Sequence, residues 1–292
     1  MPRYRYRTLD VFTHVPLEGN PLAVFPDARG LDDVTMGRIA RELNLSETVF
    51  VLPAHDPGCA ARARIFTPAG ELPFAGHPTI GTAFVLAADG AVPADATHFA
   101  LEETIGPVPI RLERDGRFMA WLTTPPIAFG STVDRAAAAR ALGLQDDDLV
   151  PDVPAQVVTA GVAALFVALR DPARVDRTVF DDRAMRALVN DGTVAETFVF
   201  APVSGGAYAR MFAPALGIAE DPATGGLTGP LAAFAMRYGL ASRRDGTRFM
   251  SEQGVRMGRP SRLHVLVHGE AGAGGIEVGG SVAPLATGYL RL

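Results

Sequence analysis

Two stretches half a chain apart repeat one pattern, and a chain built on a repeat is constrained to form the same unit twice. Glu47-Thr48-Val49-Phe50-Val51-Leu52-Pro53 resembles Glu196-Thr197-Phe198-Val199-Phe200-Ala201-Pro202, each a β-branched and aromatic run ending at a proline, the pattern of a buried strand. Ala63-Arg64-Ile65-Phe66-Thr67-Pro68-Ala69 then resembles Ala209-Arg210-Met211-Phe212-Ala213-Pro214-Ala215. Both runs lead through a loop to a proline, in His77-Pro78 or Asp221-Pro222, followed by small residues and an apolar helical stretch. The offset is 149 residues from Glu47 to Glu196, 146 from Arg64 to Arg210 and 144 from His77 to Asp221, a difference of loop trimming.

Around the repeat the pattern is α+β. Asp33 to Asn44 carries Met36, Ile39, Ala40 and Leu43 at helical spacing, and Phe180 to Leu188, with Met185, Leu188 and Val189, takes the corresponding place in the second half. Residues Thr97–Glu102, Val108–Glu113 and Phe118–Leu122 are expected as meandering strands, echoed by Arg248–Glu252, Leu263–His268 and Ile276–Val282. The strand pattern stops at Thr124-Pro125-Pro126. This predicts an N-terminal lobe over 1–126 and a C-terminal lobe over 127–292, with the last strand free to return to the first lobe.

With 292 residues, 48% of them hydrophobic, the chain can fill two cores. Its 27 Lys and Arg against 32 Asp and Glu, a net charge of −5, weigh against nucleic acid or an anionic membrane as partner and favour a small molecule. The single cysteine, Cys59, excludes an intrachain disulfide and fits a reducing compartment. No apolar run has the length of a signal peptide's core or a membrane span, so a cytoplasmic location is expected. Arg3, Arg5 and Arg7 alternate with Tyr4 and Tyr6, as on a solvated strand face.

Both long helices are expected to begin at unusual places, Gly76-His77-Pro78-Thr79-Ile80-Gly81 and Asp221-Pro222-Ala223-Thr224-Gly225-Gly226. Proline suits a first helical turn, glycine admits a ligand to free backbone N–H groups, and the helix dipole favours an anion there. A carboxylate is the natural guest. The plainer alternative is a pair of ordinary helix starts with Asp221 as N-cap; the matched positions favour a site. Glu47, at the start of an apolar strand, is a candidate proton-transfer group, because burial raises a carboxyl toward the range useful for such work. Glu196 shows that the repeat also carries glutamate for ordinary reasons, and internal evidence does not choose between them. His264 and His268 lack a third ligand, so no metal site is expected. The Gly272–Gly275 and Gly279-Gly280 runs lack the Gly-Lys-Ser/Thr of a phosphate loop and read as turns, and Asp146–Asp148 as a solvated loop.

A family resemblance rests on these stretches together: Asp10-Val11-Phe12-Thr13, Gly19-Asn20-Pro21-Leu22-Ala23-Val24, Leu45-Ser46-Glu47-Thr48, Phe66-Thr67-Pro68, Gly76 to Gly81, Glu220 to Gly225, Gln253-Gly254 and Gly258-Arg259-Pro260-Ser261. In combination, over nearly the whole chain, they resemble the phenazine-biosynthesis isomerase-like (PhzF-like) family. The resemblance implies a diaminopimelate-epimerase-like fold, two pseudo-symmetric lobes each a mostly antiparallel barrel-like sheet around a central helix. It implies an isomerase that needs no cofactor and moves a proton in a small carboxylate-bearing substrate, often as a homodimer. Glu47 would be the general acid/base, His77 and Asp221 would orient the substrate, and the amides near Gly76, Gly225 and Gly226 would hold its carboxylate. The family pattern commonly has serine where this chain has Gly226, which removes a hydroxyl ligand and leaves the backbone donor. Relatives of the broader fold that racemise amino acids use two facing cysteines; one thiol excludes that chemistry, and His77 and Asp221 are expected at the two helix starts instead. The alternative is a non-catalytic small-molecule binder that kept the cleft.

Overall fold

The computed structural model describes residues 2–189, 194 and 196–292. The chain divides into two compact units, Met1–Thr123 with Val278–Leu292, and Thr124–Glu277. No helix among the described residues is long and apolar enough to cross a membrane.

The first unit runs β1 (Arg3–Val11), β2 (Asn20–Phe25), α1 (Asp33–Leu43), β3 (Glu47–Leu52), β4 (Ala61–Phe66), β5 (Glu71–Leu72), α2 (Gly76–Ala88), β6 (His98–Glu103), β7 (Gly106–Glu113) and β8 (Met119–Thr123). The second runs β9 (Ala128–Val133), α3 (Arg135–Ala141), β10 (Ala155–Ala160), β11 (Val162–Ala168), α4 (Pro172–Arg177), α5 (Asp182–Leu188), β12 (Glu196–Val203), β13 (Gly206–Ala213), β14 (Ile218–Asp221), α6 (Gly225–Arg237), β15 (Arg248–Gln253) and β16 (Ser261–His268). The last strand, β17 (Gly275–Arg291), carries the chain back into the first unit.

In the first unit β1 pairs antiparallel with β2, and β2 runs parallel to β3 across the α1 crossover. β3 turns back into β4, which runs parallel to β6 across the α2 crossover, and β6, β7 and β8 form a meander. β17 fills the place between β8 and β1, pairing from Arg3↔Arg291 to Val11↔Val282. Eight strands thereby close on themselves. The return of the last strand has a plain cause: without it both β1 and β8 would be open edges.

Helix α2 is apolar or small around its whole circumference and nearly all of it is buried, as a helix enclosed by a sheet must be. At Gly81 a Cβ would lie 2.4 Å from Leu22 Cδ2, so the helix approaches β2 more closely than any other residue allows. Helix α1 is one-sided. Asp32 caps it by accepting from the Thr35 N–H at 2.8 Å, and Met36, Ile39 and Ala40 pack on Phe25, Phe50 and Phe66. Strand β3 is therefore buried on both faces: Phe50 looks out at α1, and the alternate residues Glu47, Val49 and Val51 look in toward α2.

The second unit uses the same moves. β11 runs parallel to β12 across α4 and α5, β12 turns into β13, β13 runs parallel to β15 across α6, and β15 turns into β16. β9 and β10 extend the sheet beyond β11. Buried α6 packs Phe234 against Phe166 and Phe200, while Ala138, Leu142, Val175 and Met185 cover the outer face of Val167 and Val199. The helix expected over Phe180–Leu188 is α5, begun by Asp181 accepting from Ala184 N–H at 2.9 Å.

Strand register aligns the two units residue by residue. Thr48↔Phe66 matches Thr197↔Phe212, Ile65↔Leu72 matches Met211↔Asp221, and Arg62↔Glu102 matches Tyr208↔Glu252. The first hairpin is three residues longer than the second, and the loop from β13 to β14 restores those three. Glu47 thus corresponds to Glu196, Leu72 to Asp221 and Glu103 to Gln253. The 13-residue helices α2 and α6 begin at Gly76 and Gly225, so His77 corresponds to Gly226. This corrects the expected match of His77 with Asp221: Asp221 is the last residue of β14, and the N-cap position of α6 is Thr224.

Candidate active site

In the first unit Glu47 and the start of α2 meet. Glu47 is 7% exposed, its Oε2 lies 3.3 Å from Nε2 of His77, and His77 Nδ1 lies 3.2 Å from Nδ2 of Asn20. Burial holds the imidazole down to about 3, a hydrogen bond to the Pro21 backbone offsetting part of the effect. His77 is therefore neutral around pH 7, and the pair is a carboxyl beside a neutral ring rather than two opposite charges. The N-cap residue of α2 is Ala75, with no side-chain cap, so Gly76 and His77 open the helix without a side chain spent on their amides. Behind them the Thr79 hydroxyl lies 2.5 Å from Oε1 of Glu103, a buried acid at the end of β6.

In the second unit Glu196, 9% exposed, begins β12 on the face toward α6, as Glu47 begins β3. Burial first, and then the Asp221 carboxylate, push its carboxyl up to about 8. Asp221 accepts from the Thr224 hydroxyl at 2.6 Å. Gln253 fixes the segment leading into α6: its Nε2 donates to the Asp221 carbonyl at 2.7 Å and the Thr224 hydroxyl at 2.9 Å, and its Oε1 accepts from the Thr224 N–H at 3.2 Å. Thr224 makes no side-chain bond to the first turn, so Gly225 and Gly226 open α6 as Gly76 and His77 open α2.

A matching arginine clamp braces each sheet. Arg64 donates to Glu71 through Nε at 2.8 Å and Nη2 at 2.6 Å, and Arg210 to Glu220 through the same atoms at 2.8 Å each. These bidentate pairs fix β5 and β14, and hence Leu72 and Asp221, against β4 and β13.

The structure thus groups Glu47, Gly76 and His77 in one unit and Asp221, Gly225 and Gly226 in the other. Sequence patterns did not single out Asn20, Glu103, Glu196, Thr224 or Gln253 as one set. The usable signal was the repeat: Glu103 and Gln253 occupy one register position, visible only once β6 and β15 are paired. Among the weaker signals, His264 and His268 lie on the partly exposed face of β16, with His268 Nε2 3.1 Å from Glu277 Oε2. Asp148 accepts from Arg174 and Arg177 and ends a short 3₁₀ turn, so Asp146–Asp148 is structured rather than a free loop. Cys59 lies in the β3–β4 loop, where burial first and then Asp56 and Glu102 push its thiol up, away from reactivity.

Comparison with known proteins matches this chain to a sequence model of the phenazine biosynthesis-like proteins, PhzC-PhzF, over residues 9–288. It is 39% identical to a trans-2,3-dihydro-3-hydroxyanthranilate isomerase of Pseudomonas aeruginosa over 99% of this chain and 100% of that protein. The solved structure of a predicted epimerase from Pseudomonas aeruginosa is 37% identical, with a TM-score of 0.85 and 99% of each chain covered. A probable proline racemase from Agrobacterium radiobacter, 16% identical, superposes with a TM-score of 0.72 over 99% of this chain and 93% of its own. It shares the fold.

Proposed function

Because the chain belongs to the phenazine biosynthesis-like protein family, we propose that it is a cofactor-independent isomerase whose Glu47 moves a proton within a small carboxylate-bearing metabolite. The Glu47 carboxylate takes a proton from one carbon of the substrate, leaving the electron pair conjugated into the adjacent unsaturated system. The resulting carboxylic acid returns a proton to a second carbon, so no atom or electron is gained or lost overall. His77, neutral, orients the reacting carboxyl and can share a hydrogen with it without competing for the proton. The amides of Gly76, Gly225 and Gly226 are assigned to the substrate carboxylate, and Asp221 to its polar groups. Gly226 offers the carboxylate a backbone donor and no side-chain hydroxyl. The observation that carries this reading is the buried Glu47 carboxyl 3.3 Å from a neutral imidazole at the uncapped start of α2.

The isomerase names of the relatives support the reaction class, and trans-2,3-dihydro-3-hydroxyanthranilate, the compound in their name, is the first substrate to try. Incubation with that compound in deuterated water, followed by mass spectrometry, should show deuterium entering carbon positions with the wild-type protein and none above background with Glu47→Gln. A folded Glu47→Gln protein that exchanges at the wild-type rate removes Glu47 from the mechanism. Tight binding of the compound by wild type, with neither turnover nor exchange, favours a binding protein instead.

A further inference from the structure

Glu103 takes no part in the proton transfer above, yet it is an acid buried against the start of α2, 4% exposed, with an Oε2 that no hydrogen-bond donor reaches. An ionised carboxylate is costly in such a place. Burial pushes its carboxyl up to about 8, opposed by smaller effects of the Thr79 hydroxyl and the Ala75 N–H. The geometry has room for that proton. The Thr79 hydroxyl lies 2.7 Å from the Ala75 carbonyl oxygen and 2.5 Å from Glu103 Oε1, and it has one proton to give. Its counterpart Thr228 gives that proton to the Thr224 carbonyl at 3.0 Å. If Thr79 bonds Ala75 in the same way, the hydrogen between Thr79 and Glu103 comes from Glu103.

The second unit shows what a neutral group does at this register position. There Gln253 accepts from the N–H of Thr224, the residue just before α6; here Glu103 Oε1 lies 2.5 Å from the Thr79 hydroxyl, which lies 2.7 Å from the carbonyl oxygen of Ala75, the residue just before α2. We propose that Glu103 is a positioning residue, the first unit's equivalent of Gln253, which braces the residue before α2 and thereby sets the orientation of His77. Gln253 engages the N-cap residue through its N–H and Glu103 through the Thr79 hydroxyl at its carbonyl, and neither spends the first-turn amides of the helix. This inference rests on the assignment of the α2 start as part of the functional site.

An acid in place of an amide adds a pH response. The charged groups around Glu103 do not compensate its ionisation. On β4, Arg62 and Arg64 flank Ala63 and are engaged with Glu102 and His55, and with Glu71 and Asp33. On β6 itself Glu102 accepts from the His55 and Asp56 amides, β7 places Gly106 alongside, and on α2 His77 is neutral. A carboxyl whose folded value lies above its unfolded one keeps a proton in the folded state that the unfolded chain releases between about 4.5 and 8. Stability from this group therefore falls as pH rises through that window, and the brace loosens at its upper end.

The experiment uses the full chain labelled on histidine, with the His77 ring resonances assigned through His77→Gln and followed from pH 6 to 10. In wild type they should move with a midpoint near 8, and in Glu103→Gln they should keep their pH 6 positions throughout. Glu103→Gln should also lose less of its thermal midpoint between pH 6 and 9. Three outcomes overturn the proposal: no alkaline movement in wild type, movement that persists in Glu103→Gln, or Glu103→Gln rings already displaced at pH 6. Where it folds, Glu103→Leu should show displaced rings at every pH. None of these readouts needs turnover, so failure of the isomerase assignment, read by deuterium exchange, is distinguishable from failure of the brace.

Discussion

The two units share a scaffold and part at the side chain that faces the strand glutamate. Each has an arginine clamp on its short strand, a buried glutamate opening a central strand, and an uncapped buried helix braced from a neighbouring strand end. In the first unit the neighbour of the glutamate arrives from the helix, as His77. In the second the helix offers only Gly226, and a carboxylate arrives instead from β14, as Asp221, where the first unit has Leu72. Burial first, and then the Asp221 carboxylate, push Glu196 up to about 8, so it holds its proton at neutral pH, whereas Glu47 faces a neutral ring. The same frame therefore sets one glutamate beside a neutral ring and the other beside a carboxylate.

The sharpest way to break this contrast is kinetic. Glu47→Gln should cut isomerase-linked deuterium exchange by about 10²–10⁴, whereas Glu196→Gln should cost less than about 10-fold. Equal losses would mean that the copies divide the proton work between them. The next test concerns the retained proton. Glu196 keeps it in the folded state while the unfolded chain loses it above about 4.5, so stability falls as pH rises from there through 8. Urea titrations should show Glu196→Gln losing roughly 2–3 kcal/mol less than wild type between pH 5 and 9. Asp221→Asn, which can still accept from Thr224, should recover part of that difference; a variant indistinguishable from wild type would remove Asp221 as the cause. The smallest effect concerns what the copies share. Arg64→Leu and Arg210→Leu should each cost about 1–2 kcal/mol in urea unfolding, and similar values would sharpen the equivalence that a one-sided loss would break.

Much of this was legible in the sequence, for identifiable reasons. Strands β3 and β12 announce themselves because both faces are buried and every position after the opening Glu-Thr pair is apolar. The closing hairpins are marked by glycine turns, and α1 by its 3.6-residue spacing and the Asn44 at its end, which takes the left-handed conformation at φ 50°. Strands β9–β11 and helices α3 and α4 carry no repeat partner in the matched segments and were not expected. The start of α6 was misplaced because Asp-Pro is, locally, a good N-cap followed by a good first residue. Strand pairing of Asp221 with Met211 overrides that preference and delays the helix to Gly225.

By itself, the sequence determined that the chain folds twice over, as a sheet curled on a long helix each time, and it offered Glu47, Glu196, His77, Asp221 and the paired glycines as candidates, the family resemblance choosing Glu47 between the two glutamates. The doubling follows from apolar patterns that recur half a chain apart. Only the tertiary structure decided which residues correspond. Three residues trimmed from one hairpin and restored in the next loop cancel in the total but shift every local comparison between them, and hydrogen-bond register, which no single strand carries alone, is what fixes the answer. It sets His77 against Gly226, Leu72 against Asp221 and Glu103 against Gln253, and so turns a doubled fold into two different environments for one repeated glutamate.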